Sequence, residues 1–210
     1  MSSVSIIGLG NMAGALAGRA LAGGNDVEII GRDPARAEEL AAALGGATVG
    51  TAGAVPTGDI VVLAVPYASA AAVVREHGDA LSGKVIIDIT NPFTPDFTGL
   101  ATPDGSSGAQ EIAKAAPDGA HVVKAFNTLF SHVLAADPVE GRPLDVFIAG
   151  DDPQAKARVS AFIESMGMRP MDTGQLSMAG ALENAGLLEL GLVAHSLRHT
   201  DFSLGVRILS

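Results

Sequence analysis

The stretch S-V-S-I-I-G-L-G-N-M-A-G-A-L-A-G-R-A-L at residues 3–21 decides the fold. A short apolar run, a glycine-rich turn and a helical pattern follow one another directly, which reads as strand, phosphate loop and helix. Gly8 permits the tight turn, and Gly10 keeps side-chain atoms away from an approaching pyrophosphate. Small Ala13 and Gly14 let the helix lie close to the strand. The helix N-terminus then offers free N–H groups and a partial positive charge to an anion. The spacing G-x-G-x-x-A is weak evidence in a chain with 26 glycines, but the flanking strand and helix make it a dinucleotide-binding signature.

Outward from that segment, short β-rich runs alternate with helical patterns. D-V-E-I-I at 26–30, A-T-V-G at 47–50, D-I-V-V-L-A-V-P at 59–66, K-V-I-I-D-I at 84–89, H-V-V-K-A-F at 121–126, L-D-V-F-I-A-G at 144–150 and M-R-P-M-D at 168–172 continue the strand series. Helical stretches are expected over 35–44, through Ala70, Val73 and Val74, and over 153–166. Near-continuous apolar strands suit a parallel sheet covered on both faces. The pattern therefore predicts an α/β fold with a Rossmann-type, doubly wound, mostly parallel sheet. Pro, Gly, Ser and Thr between Asn91 and Gly108 predict a long irregular loop, whose Phe93 and Phe97 either cover a bound ring or anchor the loop. Residues 1–174 are expected to form the nucleotide-binding domain, and 175–210 a short helical extension packed over the C-terminal edge of the sheet.

The chain has 210 residues, 48% of them hydrophobic, and a net charge of −10. That acidity argues against nucleic acid or an anionic membrane as a partner. No apolar run is expected to reach the about 18 residues of a membrane span. No basic segment precedes the first strand, and a cytoplasmic location is the default. The absence of cysteine excludes disulfides and thiolate chemistry, and no G-x-S-x-G elbow supports a hydrolase.

The end of the second strand distinguishes the dinucleotides. Glu28 has the nominal spacing for holding a ribose hydroxyl but lies inside the strand, with Ile29 and Ile30 still to follow. Gly31 and Arg32 occupy the corner itself. Arg32 presents a planar fork suited to a 2′-phosphate, and Arg36 adds a second cation one turn on; alternatively both are solvated surface charges. Asp33 is also placed to bond a ribose hydroxyl. Strand ends at A-V-P-Y, T-N-P and F-N-T bring Pro66, Asn91 and Asn127 to the carboxyl edge, where open α/β sheets bind ligands. Lys124 within an apolar strand must find a partner, with its stem packed and its head paired. His195 and His199 have metal-ligand spacing on an expected helix but lack a third ligand, so they read as a solvated helix end.

In order and spacing, G-L-G-N-M-A at 8–13, G-R-D-P at 31–34, D-I-V-V-L-A-V-P-Y, H-V-V-K-A-F-N-T, D-V-F-I-A-G-D-D and M-R-P-M-D-T-G-Q-L resemble the NADPH-dependent F420 reductases, or F420-dependent NADP oxidoreductases. The K-A-F-N-T and M-D-T-G blocks are also similar to the cytosolic oxidoreductase domain of six-transmembrane metalloreductases. The resemblance implies NADP(H) as cofactor and coenzyme F420 or a flavin as co-substrate. It maps the cofactor loop to Gly8, Leu9, Gly10, Asn11 and Met12, and the 2′-phosphate corner to Arg32 and Arg36. It maps the nicotinamide-side strand ends to Val65, Pro66 and Asn91, and the nicotinamide and deazaflavin pocket to Ala125 and Asn127. Archaeal members usually carry serine at the place of Gly31, histidine at that of Asn127 and an apolar residue at that of Asn91.

The expected reaction is hydride transfer between NADPH and F420 or a flavin-like acceptor, with no catalytic acid, base or nucleophile assigned. A flavin or ferric reductase and a non-catalytic NADP-binding redox sensor remain alternatives. Imine and 2-hydroxyacid reductases share the fingerprint, but about 35 residues after the last strand do not supply their helical second domain. The apolar C-terminal helix suggests a homodimer.

Overall fold

The computed structural model describes residues 1–136 and 143–209. Eight strands form one sheet: β1 (Ser3–Ile7), β2 (Asp26–Ile30), β3 (Thr48–Gly50), β4 (Ile60–Leu63), β5 (Val85–Asp88), β6 (His121–Lys124), β7 (Asp145–Gly150) and β8 (Arg169–Asp172). Their spatial order is β3-β2-β1-β4-β5-β6-β7-β8. The helices are α1 (Asn11–Ala22), α2 (Pro34–Leu44), α3 (Tyr67–His77), α4 (Gly108–Ala113), α5 (Ser131–Ala135), α6 (Pro153–Ser165) and α7 (Ala179–Leu192).

The apolar runs become strands because both sheet faces are covered. Every residue of β4 and β5 is buried. On one face, Leu16 and Ala20 of α1 and Phe162 and Ile163 of α6 pack against Ile6, Val62 and Ile87. On the other, Val74 of α3 and Ile112 of α4 meet Val61, Leu63 and Ile86. Asp33 caps α2 by accepting from Arg36 N at 3.3 Å, and Asp152 caps α6 by accepting from Ala155 N at 2.6 Å. Pro at the first turn of both helices supplies the φ angle without removing a needed donor. Strand β1 pairs with both β2 and β4, Ile7 lying opposite Ile30 and Leu63, so the winding reverses between β1 and β4. A crevice at that reversal is where open α/β sheets take ligands.

Strands β1–β6 are parallel, but β7 runs antiparallel to β6 and β8 follows β7. The strand pattern alone carries no direction, because a period of two reads the same both ways. Asn91–Ser107 contains no helix, as its composition implies, and only an isolated bridge joins Phe93 to Leu100. The short helices α4 and α5 lack the length for a periodic signal.

Helix α7 inverts the usual arrangement. Its two glutamates, Glu183 and Glu189, are buried, whereas Leu188 is 57% exposed. Together with the turns on either side it forms a run, Leu176–Leu197, of 22 residues, whose most apolar stretch has mean hydropathy 1.2, long and apolar enough by composition to cross a membrane. This corrects the expectation that no such run exists. The inward carboxylates explain why the run packs on the sheet: Glu183 meets a buried cation there. Arg198, in the left-handed region with φ 63°, ends the helical run, so exposed His199 lies beyond the helix that carries His195. The tail then returns to the sheet, Val206 N donating to Asp145 Oδ2 at 2.6 Å.

Burial pushes the Glu189 carboxyl up to about 8. Its Oε1 is buried without a hydrogen-bond partner. A raised folded-state pKa means that the native state holds the proton through a range where the unfolded chain has lost it. The stabilisation is therefore complete below about 4.5 and is lost as pH rises towards about 8. Glu189→Gln is expected to melt above the wild type at pH 8.5 and to lose that advantage at pH 5, as measured by thermal unfolding across pH.

Candidate dinucleotide cleft

A cleft of about 600 Å³ opens at the reversal between β1 and β4. Its volume suits an organic cofactor. Gly8 sits at its root with φ 137°, where L side chains are strained, and its N–H donates to Ile30 O at 2.9 Å. A Cβ on Gly8 would lie 2.1 Å from Ala64 O, so only glycine lets the turn pass the end of β4. Gly10 differs: its φ is −86° and no atom lies within 4 Å of a Cβ built there. No side chain caps α1, and its first helical bond runs from Gly14 N to Gly10 O at 3.1 Å. The donors of the first turn are left to a ligand, and the open space at Gly10 leaves room for it. These residues fit a dinucleotide pyrophosphate.

Across the cleft stand Val65 and Pro66, and beyond β2 stand Arg32 and Arg36. Among the described residues neither guanidinium makes an ion pair. Leu9 lies over the end of β2, where a Cβ on Gly31 would meet its Cδ1 at 2.4 Å. A side chain at position 31 would therefore require Leu9 to move. Glu28 turns into the protein: its Oε2 accepts from Ser5 Oγ at 2.5 Å and from Thr57 N at 2.9 Å. It is a structural carboxylate, as its place within the strand implies.

The cleft therefore gathers Gly8, Leu9, Gly10, Arg32, Arg36, Val65 and Pro66. Asn11 and Met12 start α1 but do not line it; Asn11 is exposed, and Met12 packs against the core. Asn91, Ala125 and Asn127 lie outside its lining as well. Ala125 is fully buried. Asn127 Nδ2 donates to Asn91 Oδ1 at 2.9 Å and to Leu182 O at 2.8 Å, while Asn91 Nδ2 donates to Asn127 O at 2.8 Å. The paired amides bind the ends of β5 and β6 to α7. Phe93 reaches Gly186 of the same helix, with 3.0 Å between its Cζ and a Cβ built there, whereas Phe97 is 61% exposed.

Beneath these amides Lys124 is fully buried between two carboxylates, Asp88 Oδ2 at 2.8 Å and Glu183 Oε1 at 2.9 Å. Its ammonium also donates to Thr90 O. Glu183 accepts from Gly108 N at 3.0 Å and Ala109 N at 3.3 Å. The paired head expected of Lys124 is present, and it joins β5, β6, α4 and α7.

Sequence reasoning missed the wall that α3 contributes: Ala68, Ser69, Ala72, Val73, Glu76 and His77. These fall in adjacent pairs four residues apart, which is the signal of one helix face. Nothing local indicated that this face looks onto the turn at Ala52 and Gly53.

Comparison with known proteins agrees with this geometry. The family model described as NADP oxidoreductase coenzyme F420-dependent matches residues 3–92. An F420-dependent NADP reductase of Methanocaldococcus jannaschii is 26% identical over 157 residues, covering 72% of this chain and 68% of that protein. A crystal structure from Arthrobacter sp. FB24, provisionally assigned as an F420-dependent NADP reductase, superposes with a TM-score of 0.86 at 25% identity, over 99% of this chain and 100% of the other. The family match lies in residues 3–92, and the chain is similar to F420-dependent NADP reductases over most of its length. It is accordingly an NADP-dependent oxidoreductase with a Rossmann-like fold. Metalloreductase STEAP3 of Rattus norvegicus is 32% identical over 187 residues, or 86% of this chain, but the chain spans only 35% of that longer protein.

The two loop glycines separate folding from binding. Gly8→Ala is expected to destabilise the fold by about 2 kcal/mol or more, through left-handed strain and the clash with Ala64. Gly10→Ala should unfold as the wild type does in urea while weakening NADPH about tenfold or more, because its methyl group occupies space left for phosphate. Equal NADPH affinity in Gly10→Ala and wild type would remove the loop from the binding site.

Proposed function

We propose that the protein transfers hydride between NADPH and a deazaflavin acceptor, coenzyme F420, with a flavin as the nearest substitute. One observation carries this reading: an uncapped helix end, an open Gly10 and two arginines without an ion pair among the described residues face a single cleft. The nicotinamide and the acceptor ring supply the redox chemistry themselves. The chain's part is to hold and orient them. The first turn of α1 with Gly10 receives the pyrophosphate, and Arg32 and Arg36 receive the 2′-phosphate. Val65 and Pro66 border the nicotinamide side. Asn91 and Asn127 serve the acceptor end by fixing α7 and the strand ends around it, and Ala125 keeps the backbone there closely packed. Positioning at near-attack distance and exclusion of water require no acid or base from the protein, in keeping with the lack of an assigned one.

The acceptor is a small molecule, and the net charge of −10 disfavours nucleic acid. A cytoplasmic setting suits both. A ferric or flavin reductase is the second reading, favoured by the 32% identity to the metalloreductase. Leu188 of α7, 57% exposed, and Met178 just before that helix, 41% exposed, support a homodimer formed through this segment. Sedimentation at micromolar concentration is expected to give twice the monomer mass, and Leu188→Glu to give the monomer.

The deciding assay mixes the protein with NADPH and, separately, F420, FMN, FAD or a ferric chelate, following absorbance. Turnover with F420 is expected; turnover confined to flavin or iron selects the second reading, and binding of NADPH without turnover leaves a redox sensor. Arg32→Ala should weaken NADPH by about 1.5–3 kcal/mol, the worth of a charge-assisted hydrogen bond, and leave NADH little changed. Equal losses for the two would refute the 2′-phosphate role.

A further inference from the structure

Part of the cleft wall is formed by the last turn of α3 and by the turn at Ala52 and Gly53. Two polar side chains stand there that neither the phosphates nor the hydride transfer employ. Glu76 is exposed and, among the described residues, makes no ion pair or hydrogen bond. It lies towards Gly53, 3.9 Å separating its Oε1 from a Cβ built on that glycine. His77 is only 9% exposed. Its Nδ1 is buried with no hydrogen-bond partner among the described residues, and the side chain belongs to the cleft lining.

These two groups form a polarity code. A neutral imidazole has one donor and one acceptor nitrogen. Placing the proton on Nε2 leaves a bare lone pair at buried Nδ1 rather than an orphaned donor, and it makes Nε2 the donor of this cleft-lining side chain. Glu76 is an acceptor only. This part of the cleft thus offers an acceptor beside a donor, between apolar walls of Ala72 and Val73 on one side and Ala52 on the other. A carboxylate in a cleft that receives a polyanion must face an uncharged, donor-bearing part of the ligand. NADPH has two such parts, the nicotinamide carboxamide and the adenine; with the nicotinamide bordered by Val65 and Pro66, the part left for Glu76 and His77 is the adenine, whose 6-amino group donates beside a ring nitrogen that accepts.

We infer that Glu76 and His77 read the adenine edge, Glu76 accepting from the 6-amino group and His77 Nε2 donating to the adjacent ring nitrogen. The inference rests on the assignment of the cleft to NADPH made above. It makes this pair a specificity device directed against 6-oxopurine dinucleotides. Hypoxanthine replaces the amino donor with a carbonyl oxygen, which would stand against the Glu76 carboxylate with no proton between them.

The test is fluorescence titration of the full chain with NADPH and with its hypoxanthine counterpart, reduced nicotinamide hypoxanthine dinucleotide phosphate. The wild type is expected to bind NADPH about tenfold or more tightly than the hypoxanthine form, in line with a two-point base contact. In Glu76→Gln the amide can turn its NH₂ towards a carbonyl, so the hypoxanthine form should gain and the preference should fall to about threefold or less. Glu76 is exposed, so the variant should unfold as the wild type does. Arg32→Ala should weaken both dinucleotides and preserve their ratio. Tight NADPH binding with no preference over the hypoxanthine form overturns the inference alone, as does a Glu76→Gln protein that keeps the wild-type ratio. Failure of the wild type to bind NADPH overturns both this inference and the assignment of the cleft.

Discussion

The contact between Gly8 and the carbonyl of Ala64 is the constraint on which the site depends. The chain leaves β1 against the end of β4, and no side chain can stand between them. Because the turn is that close, α1 begins directly over the reversal of strand order, and its unpaired donors open into the crevice. The same closeness brings Leu9 onto Gly31, so the second strand end is shaped by the first loop. A binding cleft thus follows from two glycines that serve packing and a third, Gly10, that leaves space.

A second constraint governs the other half of the carboxyl edge. Lys124, Asp88 and Glu183 are all fully shielded from solvent, and they hold one cation between two anions. Removing one member of such a buried set leaves charge uncompensated, at a cost of about 3–5 kcal/mol. The backbone N–H groups of Gly108 and Ala109 share the load by donating to Glu183. This cluster turns the polar face of an otherwise apolar helix inward and seats α7 over the strand ends. It also ties down the end of the long loop that begins at Asn91. The strand ends under α7 are therefore organised by charge, whereas the cleft at the β1–β4 reversal is organised by backbone closeness.

Much of this was legible beforehand. The strand–glycine–helix order at 3–21, the eight β-rich runs and the corner at Arg32 lie in local spacing, and the structure reproduces them within one to three residues at the ends. Lys124 was legible as a paired lysine because an apolar strand cannot leave a cation alone. Less was legible for Asn91 and Asn127. Strand-end asparagines read equally well as ligand donors or as ties, and here each is engaged with the other. The antiparallel β7, the inward glutamates of α7 and the α3 wall of the cleft were not legible at all.

The sequence by itself determined the doubly wound class, the glycine turn between β1 and α1 and the placing of Arg32 just beyond β2, because periodicity, backbone freedom and charge are properties of neighbouring residues. Only the tertiary structure decided strand direction, the partner of Lys124 and the company of Glu76 and His77. Those depend on which distant backbone arrives beside a side chain: the turn at Gly53 beside Glu76, and α7 beside Lys124. Such meetings are set by how the elements pack against the whole core, and no spacing within a single element records them.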